Sequence, residues 1–191
     1  MNLASPKKNM KLLFPIRLCA LIALTASVLP FLVGCATCKP GEVGVIKKYN
    51  IQVNLDPALQ NGSVRVDLVG VNPSNLPGWE SYSMSKYWKD GDAKRAGQVE
   101  KVTFKFNSGT TVTNLSISDS MWDKWKANGA TYIMVLADLP GNFPQDLPGN
   151  QDPRRHSESL GACHWIDKTT SLSFRVQQSG IELLTPTRMF K

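Results

Sequence analysis

Apolar and polar residues alternate along most of the chain after residue 43, the period-two pattern of half-buried strands. In YNIQVNL, residues 49–55, Ile51, Val53 and Leu55 share one face, and a first strand, continuous or broken, is expected over residues 43–55. DPALQNGS, residues 56–63, is rich in turn formers and reads as the connecting loop. VRVDLVGV, residues 64–71, is a second strand with Val64, Val66 and Leu68 inward, stopped by NPSNLPG. KVTFKFN sets Val102, Phe104 and Phe106 against Thr103 and Lys105, SGTT turns the chain, and VTNLSIS continues it. TYIMVLADL is almost uninterruptedly apolar, as expected of a central strand. TSLSFRV points Leu172, Phe174 and Val176 inward, and QQSG turns it into IELLT. About seven short strands separated by turn signals predict a mainly β fold, a two-sheet β-sandwich.

Two stretches depart from this period. Residues 81–97 (SYSMSKYWKDGDAKRAG) hold Met84, Tyr87 and Trp88 at helical spacing, and SDSMWDKWKANG predicts a helix that Asp119 or Ser118 can cap and Gly129 can stop. The Trp residues fit a core-facing helix better than a sugar-stacking platform. Asp-Leu-Pro-Gly-Asn occurs twice, at 138–142 and 146–150, within a proline-rich loop that runs on to RRHSESLGACHW. Its prolines exclude it from a central strand; it reads equally well as a recognition loop or as a spacer.

The N-terminal segment follows another pattern. Lys7, Lys8, Lys11 and Arg17 precede an uncharged run from residue 18 to 33 that contains Pro30, too short for a spanning helix and fitting a secretory signal over residues 1–34. The run ends Leu32-Val33-Gly34-Cys35, which resembles a bacterial lipobox. That resemblance implies a diacylglyceryl thioether on Cys35, cleavage after Gly34, and a fatty acyl group on the freed amine. Two or more chains hold a protein stably on a bilayer where one does not. Ala36 follows the lipid-bearing residue where an Asp would resemble inner-membrane retention, so the outer membrane is expected. Residues 35–42 become a lipidated tether and residues 43–191 the sandwich domain.

Removing residues 1–34 lowers the net charge from +7 to +3, since four basic residues leave and no acidic ones, 18 Lys and Arg facing 15 Asp and Glu. No basic patch of the kind nucleic acids require remains. Cys38 and Cys163 are left as an even pair in an oxidising compartment, and a disulfide between them is expected, two separate thiols being the alternative. His156 and His164 are the only histidines, no Gly-x-Ser-x-Gly elbow or glycine-rich phosphate loop exists, and adjacent Cys163-His164 is poor spacing for a tetrahedral metal site. Neither an enzyme, nor a metal, nor a cofactor beyond the Cys35 lipid is expected.

Taken in order, IQVNL with its turn-rich loop, VRVDLV, the aromatic segment YWKD, FNSGTTVTNLSI, YIMVLADL, Trp165 and SLSFRVQQSGIELL resemble the small outer-membrane lipoprotein of the bacterial type VI secretion system, the TssJ type. The resemblance implies a transthyretin-like sandwich with one or two short helices. It also implies a periplasm-facing anchor that docks the periplasmic domain of a large inner-membrane secretion protein. The contact would fall on Asp56, Pro57, Ala58, Leu59, Gln60, Asn61, Gly62 and Ser63, with Leu59 and Gln60 the main exposed residues. The competing expectation is a lipoprotein that holds a glycan or small ligand with the proline-rich loop and exposed tryptophans.

Overall fold

The alternating segments pair into two four-stranded sheets. They are seen in a computed structural model that describes residues 38–39, 42–107, 109–143, 147–166 and 168–189. The expected signal segment over residues 1–34, the expected lipidation residue Cys35 and residues 144–146 of the proline-rich repeat lie outside the described residues. Cys38–Lys191 is one folded unit. Its strands are β1 (Asn50–Leu55), β2 (Val64–Val71), β3 (Lys101–Phe106), β4 (Val112–Leu115), β5 (Tyr132–Ala137), β6 (Arg155–Ser159), β7 (Ser171–Gln177) and β8 (Gly180–Leu183). One sheet has the order β4-β1-β7-β8 and the other β3-β2-β5-β6. All neighbours are antiparallel except β1 and β7, which run parallel with Ile51 opposite Leu172 and Val53 opposite Phe174.

The inward faces supply the main core. Ile51, Val53, Leu172, Phe174 and Val176 of the first sheet pack on Val64, Val66, Leu68, Phe106, Ile133 and Val135 of the second. Apart from Ile133 and Val135, whose continuous apolar run set no face, these are the residues that the alternation pointed inward, because a strand presents every second side chain to one face.

The second sheet is covered on its outer face as well. Three short helices, α1 (Leu76–Glu80), α2 (Met84–Tyr87) and α3 (Ala93–Gly97), fill the segment between β2 and β3. Trp79, Met84, Tyr87 and Trp88 from this segment bury Val69 and Val71 of β2 and Met134 and Leu136 of β5 in a separate apolar cluster. β2 and β5 are therefore buried on both sides, which explains the unbroken apolar run in β5. Asp67 points into this outer layer with no exposure. It accepts hydrogen bonds from the Tyr87 hydroxyl (2.9 Å), Arg95 Nε (2.9 Å) and the Thr103 hydroxyl (2.6 Å). A buried carboxylate is tolerated when charge-assisted donors satisfy it in this way.

The expected helix forms as α4 (Met121–Ala127), but its N-cap is Ser120, with no side-chain capping bond, rather than Asp119 or Ser118; Asp119 Oδ1 accepts from the Met121 amide at 2.8 Å just before it. Its Trp125 ring lies on β2, where a Cβ on Gly70 would stand 2.4 Å from Trp125 Cγ. Only hydrogen fits at residue 70, which fixes that glycine.

The fold differs from the expectation at three places. Four α-helices occur among the described residues, because the second sheet has an outer apolar face to cover. The first strand begins at Asn50; residues 43–47 instead lie along residues 160–163, with amides of Ala162, Cys163 and Lys47 donating to carbonyls of Val45, Val43 and Leu160. An eighth strand, β6, forms in the stretch read as loop. Its side chains are polar because it is an edge strand whose residues bond to neighbouring loops, so it lacks an apolar alternation.

Candidate functional site

Strand direction divides the loops between two ends of the sandwich. The β1–β2 loop (residues 56–63), the β3–β4 turn and the proline-rich β5–β6 loop gather at one end. There Leu55 N–H donates to Thr111 O, Asp56 N–H to Val176 O, and Asp138 N–H to Arg65 O. The start of β1, the start of β7 and the ends of β4 and β8 lie at the other.

In the β1–β2 loop, Asp56 Oδ1 accepts from the Ala58 amide at 2.9 Å and starts a 3-10 turn, Pro57–Leu59. That turn drives Leu59 into the main core, where it is 4% exposed. The expectation that Leu59 is an exposed contact is therefore wrong: a capped turn of this length carries its third residue back over the sheet. Pro57, Ala58, Asn61, Gly62 and Ser63 are exposed, and Asp56 and Gln60 partly so. The surface that this loop can offer is small and mostly polar, with Leu59 as the internal peg that holds it.

At the far end Cys38 and Cys163 form a disulfide, joining residues 125 apart in sequence with Cα atoms 5.4 Å apart. Gly44 packs on it: with φ of 69° and Cys163 Sγ only 2.6 Å from where a Cβ would sit, the position requires glycine. Residue 38 is thereby fixed to the sandwich.

The two copies of Asp-Leu-Pro-Gly-Asn have different environments. In the first, Asp138 accepts two bonds from Arg65 (2.9 and 2.6 Å) and Leu139 is buried. In the second, Leu147 and Gly149 present carbonyls to the buried Arg155, at 2.6 and 2.8 Å. The same guanidinium donates to the carbonyls of Trp79 (2.9 Å) and Tyr82 (2.8 Å). Arg155 thus ties the proline-rich loop to the helical layer, and burial pushes its pKa below the ordinary arginine value. Beside it, Arg154 and Asp152 form a buried pair, Nη2 to Oδ2 at 2.9 Å.

Neither histidine forms a reactive constellation. His156 Nε2 and His164 Nε2 lie 2.8 and 2.6 Å from the two oxygens of Glu158. Burial by itself would raise the Glu158 carboxyl; the hydrogen bonds from both rings outweigh it and bring the pKa down to about 2. No group of three metal-ligating side chains occurs among the described residues. Trp79, Trp88, Trp122, Trp125 and Trp165 are all buried, so the reading in which exposed tryptophans stack on a glycan fails. Sequence reasoning missed Asp67, Arg155 and Glu158; Asp67 carried the signal of a charged residue inside an expected strand, whereas Arg155 and Glu158 lay in a stretch read as loop.

The fold is a two-sheet β-sandwich with a helical layer on one sheet and a disulfide-fixed N-terminal strap. No protein-family profile matches the chain, and no curated protein matches it in sequence. Among solved structures the chain is similar to the C-terminal domain of the type VI secretion protein TssM from EAEC, at 13% identity over 71% of this chain and 99% of that one, TM-score 0.47. It is also similar to the type VI lipoprotein TssJ1 from Pseudomonas aeruginosa, at 12% identity over 77% and 100%, TM-score 0.45. The Serratia marcescens Lip, a membrane-bound component of the type VI secretion system, gives 12% over 74% and 99%, TM-score 0.45. No helix among the described residues is long and apolar enough to cross a membrane.

Proposed function

We propose that the chain is a lipid-anchored outer-membrane lipoprotein whose sandwich faces the periplasm and docks the periplasmic domain of a large inner-membrane component of a type VI secretion complex. It acts as an anchor and carries no catalytic role. One observation carries the reading: the strap disulfide and the β1–β2 loop lie at opposite ends of β1, whose 6 residues separate them by about 20 Å. A chain held to a bilayer through Cys35 would then present residues 56–63 away from the membrane, where a partner reaching across the periplasm would meet them. The lipobox pattern at residues 32–35 and the order of strand patterns support the same reading.

The test is binding of the purified periplasmic domain of that inner-membrane protein, measured by interferometry. Ala58→Glu and Asn61→Glu change exposed loop positions and leave the Leu59 peg in place. They should weaken binding by about ten-fold or more if the loop holds the centre of the interface. Undiminished binding removes the loop from the contact.

A further inference from the structure

The exposed apolar side chains are unevenly placed. Val43, Val45, Ile46, Ile166 and Met189 lie on segments joined around the Cys38–Cys163 disulfide, and Ile117 lies at the same end, its amide bonded to Asn50. Val45 is 73% exposed and Met189 89%; Val99, 80% exposed, lies before β3 and outside this group. Met189 follows Arg188, whose amide donates to His164 O, and Thr187, which bridges Trp165. At the docking end, Val112 alone is a large exposed apolar residue among the described residues.

Charge follows the same division. Among the described residues, segments 38–48, 160–170 and 184–189 hold Lys39, Lys47, Lys48, Lys168 and Arg188 against Glu42, a balance of +4, with Lys48 paired to Asp123 of α4 at 2.6 Å. The chain from residue 35 onward totals +3, 18 basic against 15 acidic, so everything else sums to −1. Lys39, Lys47 and Lys168 are exposed.

Chain length then limits what can cover this face. From Cys35 to Cys38 there are three peptide steps, reaching at most about 11 Å. Cys38 is bonded to the body, so with Cys35 acylated the body cannot drift away from the bilayer. We infer that the apolar and basic face around the Cys38–Cys163 disulfide rests on the membrane surface. Its aliphatic side chains seat at the headgroup boundary, and its lysines meet anionic headgroups. The inference rests on the lipid-anchor reading and goes beyond it, because an anchor on a loose tether needs no such face. Its consequence is orientation: β1 stands away from the bilayer, and residues 56–63 point toward the partner.

Met189 is a built-in probe. The full lipidated chain is reconstituted in vesicles of phosphatidylethanolamine with phosphatidylglycerol as the minor component, and exposed to hydrogen peroxide. Met189 sulfoxide is followed by mass spectrometry against the same chain carrying Cys35→Ser, which stays in solution. Oxidation in vesicles should be slowed about ten-fold, as for a side chain withdrawn from water into the headgroup layer. A Val112→Met chain supplies a reporter at the opposite end, and that methionine should oxidise equally fast in both states. The intact mass is read first. An acylated Cys35 with Met189 oxidised at the solution rate overturns the apposed face and leaves the anchor standing; an unacylated Cys35 overturns both.

Discussion

Cutting the strap from the body should cost the sandwich much of its stability. Cys38→Ser opens a loop closed over 125 residues, almost the whole folded unit. In the chain-entropy account, closing a loop of that length lowers unfolded-state entropy enough to contribute about 5 kcal/mol at 25 °C, and measured values for native disulfides run from about 2 to 5. Cys163 is itself buried, so the freed thiol would remain packed beside Gly44 as a small apolar group, and most of the loss would come from the released constraint. Urea unfolding followed by tryptophan fluorescence suits the question, since all five tryptophans are buried. With a slope of about 2 kcal/mol per molar urea, a loss of about 4 kcal/mol moves the midpoint down by about 2 M. Reductant should move the wild-type curve onto that of the variant and leave the variant unchanged. An unmoved midpoint, or a reductant effect on the variant as large as on the wild type, would refute the reasoning.

Gly70→Ala should destabilise by about 3 kcal/mol, because the new methyl would stand 2.4 to 2.8 Å from three Trp125 atoms while that ring is held by a 2.8 Å bond to Glu100 O. Gly78→Ala in α1 meets nothing within 4 Å and should be neutral or mildly stabilising by the same unfolding assay, about 0.5–1 kcal/mol. The Glu158 carboxyl titrates at about 2 when folded against an ordinary value of 4.5, so its contribution is present above pH 4.5 and is lost as pH falls toward 2. That contribution is at most about 3 kcal/mol, and Glu158→Gln should flatten stability against pH in this window; parallel wild-type and variant curves would contradict it.

The sequence revealed the sandwich where a strand has one wet face. β1 and β7 alternate cleanly, and their inward residues are those that the period identified; in β3 Phe106 is buried, while Val102 and Phe104 pack against the core only partly buried. It was silent where a strand bonds sideways: β6 has no apolar alternation because Arg155, His156 and Glu158 bind carbonyls and each other. The helical layer was only partly visible, since Met84, Tyr87 and Trp88 showed helical spacing but nothing local said that β2 had a second face to cover. Within the β1–β2 loop the turn was legible from its Asp, Pro, Asn and Gly residues, but the direction of Leu59 was not. Whether a loop leucine points outward or inward depends on the turn's capping bond and on the space beneath it, and both are properties of the assembled sandwich.

The anchor is tested most directly at residue 35. Mass spectrometry of the protein extracted from membranes should find a chain beginning at Cys35, with a diacylglyceryl thioether on its sulfur and a fatty acyl group on its amine. A free thiol there, or residues 1–34 still attached, would contradict the account.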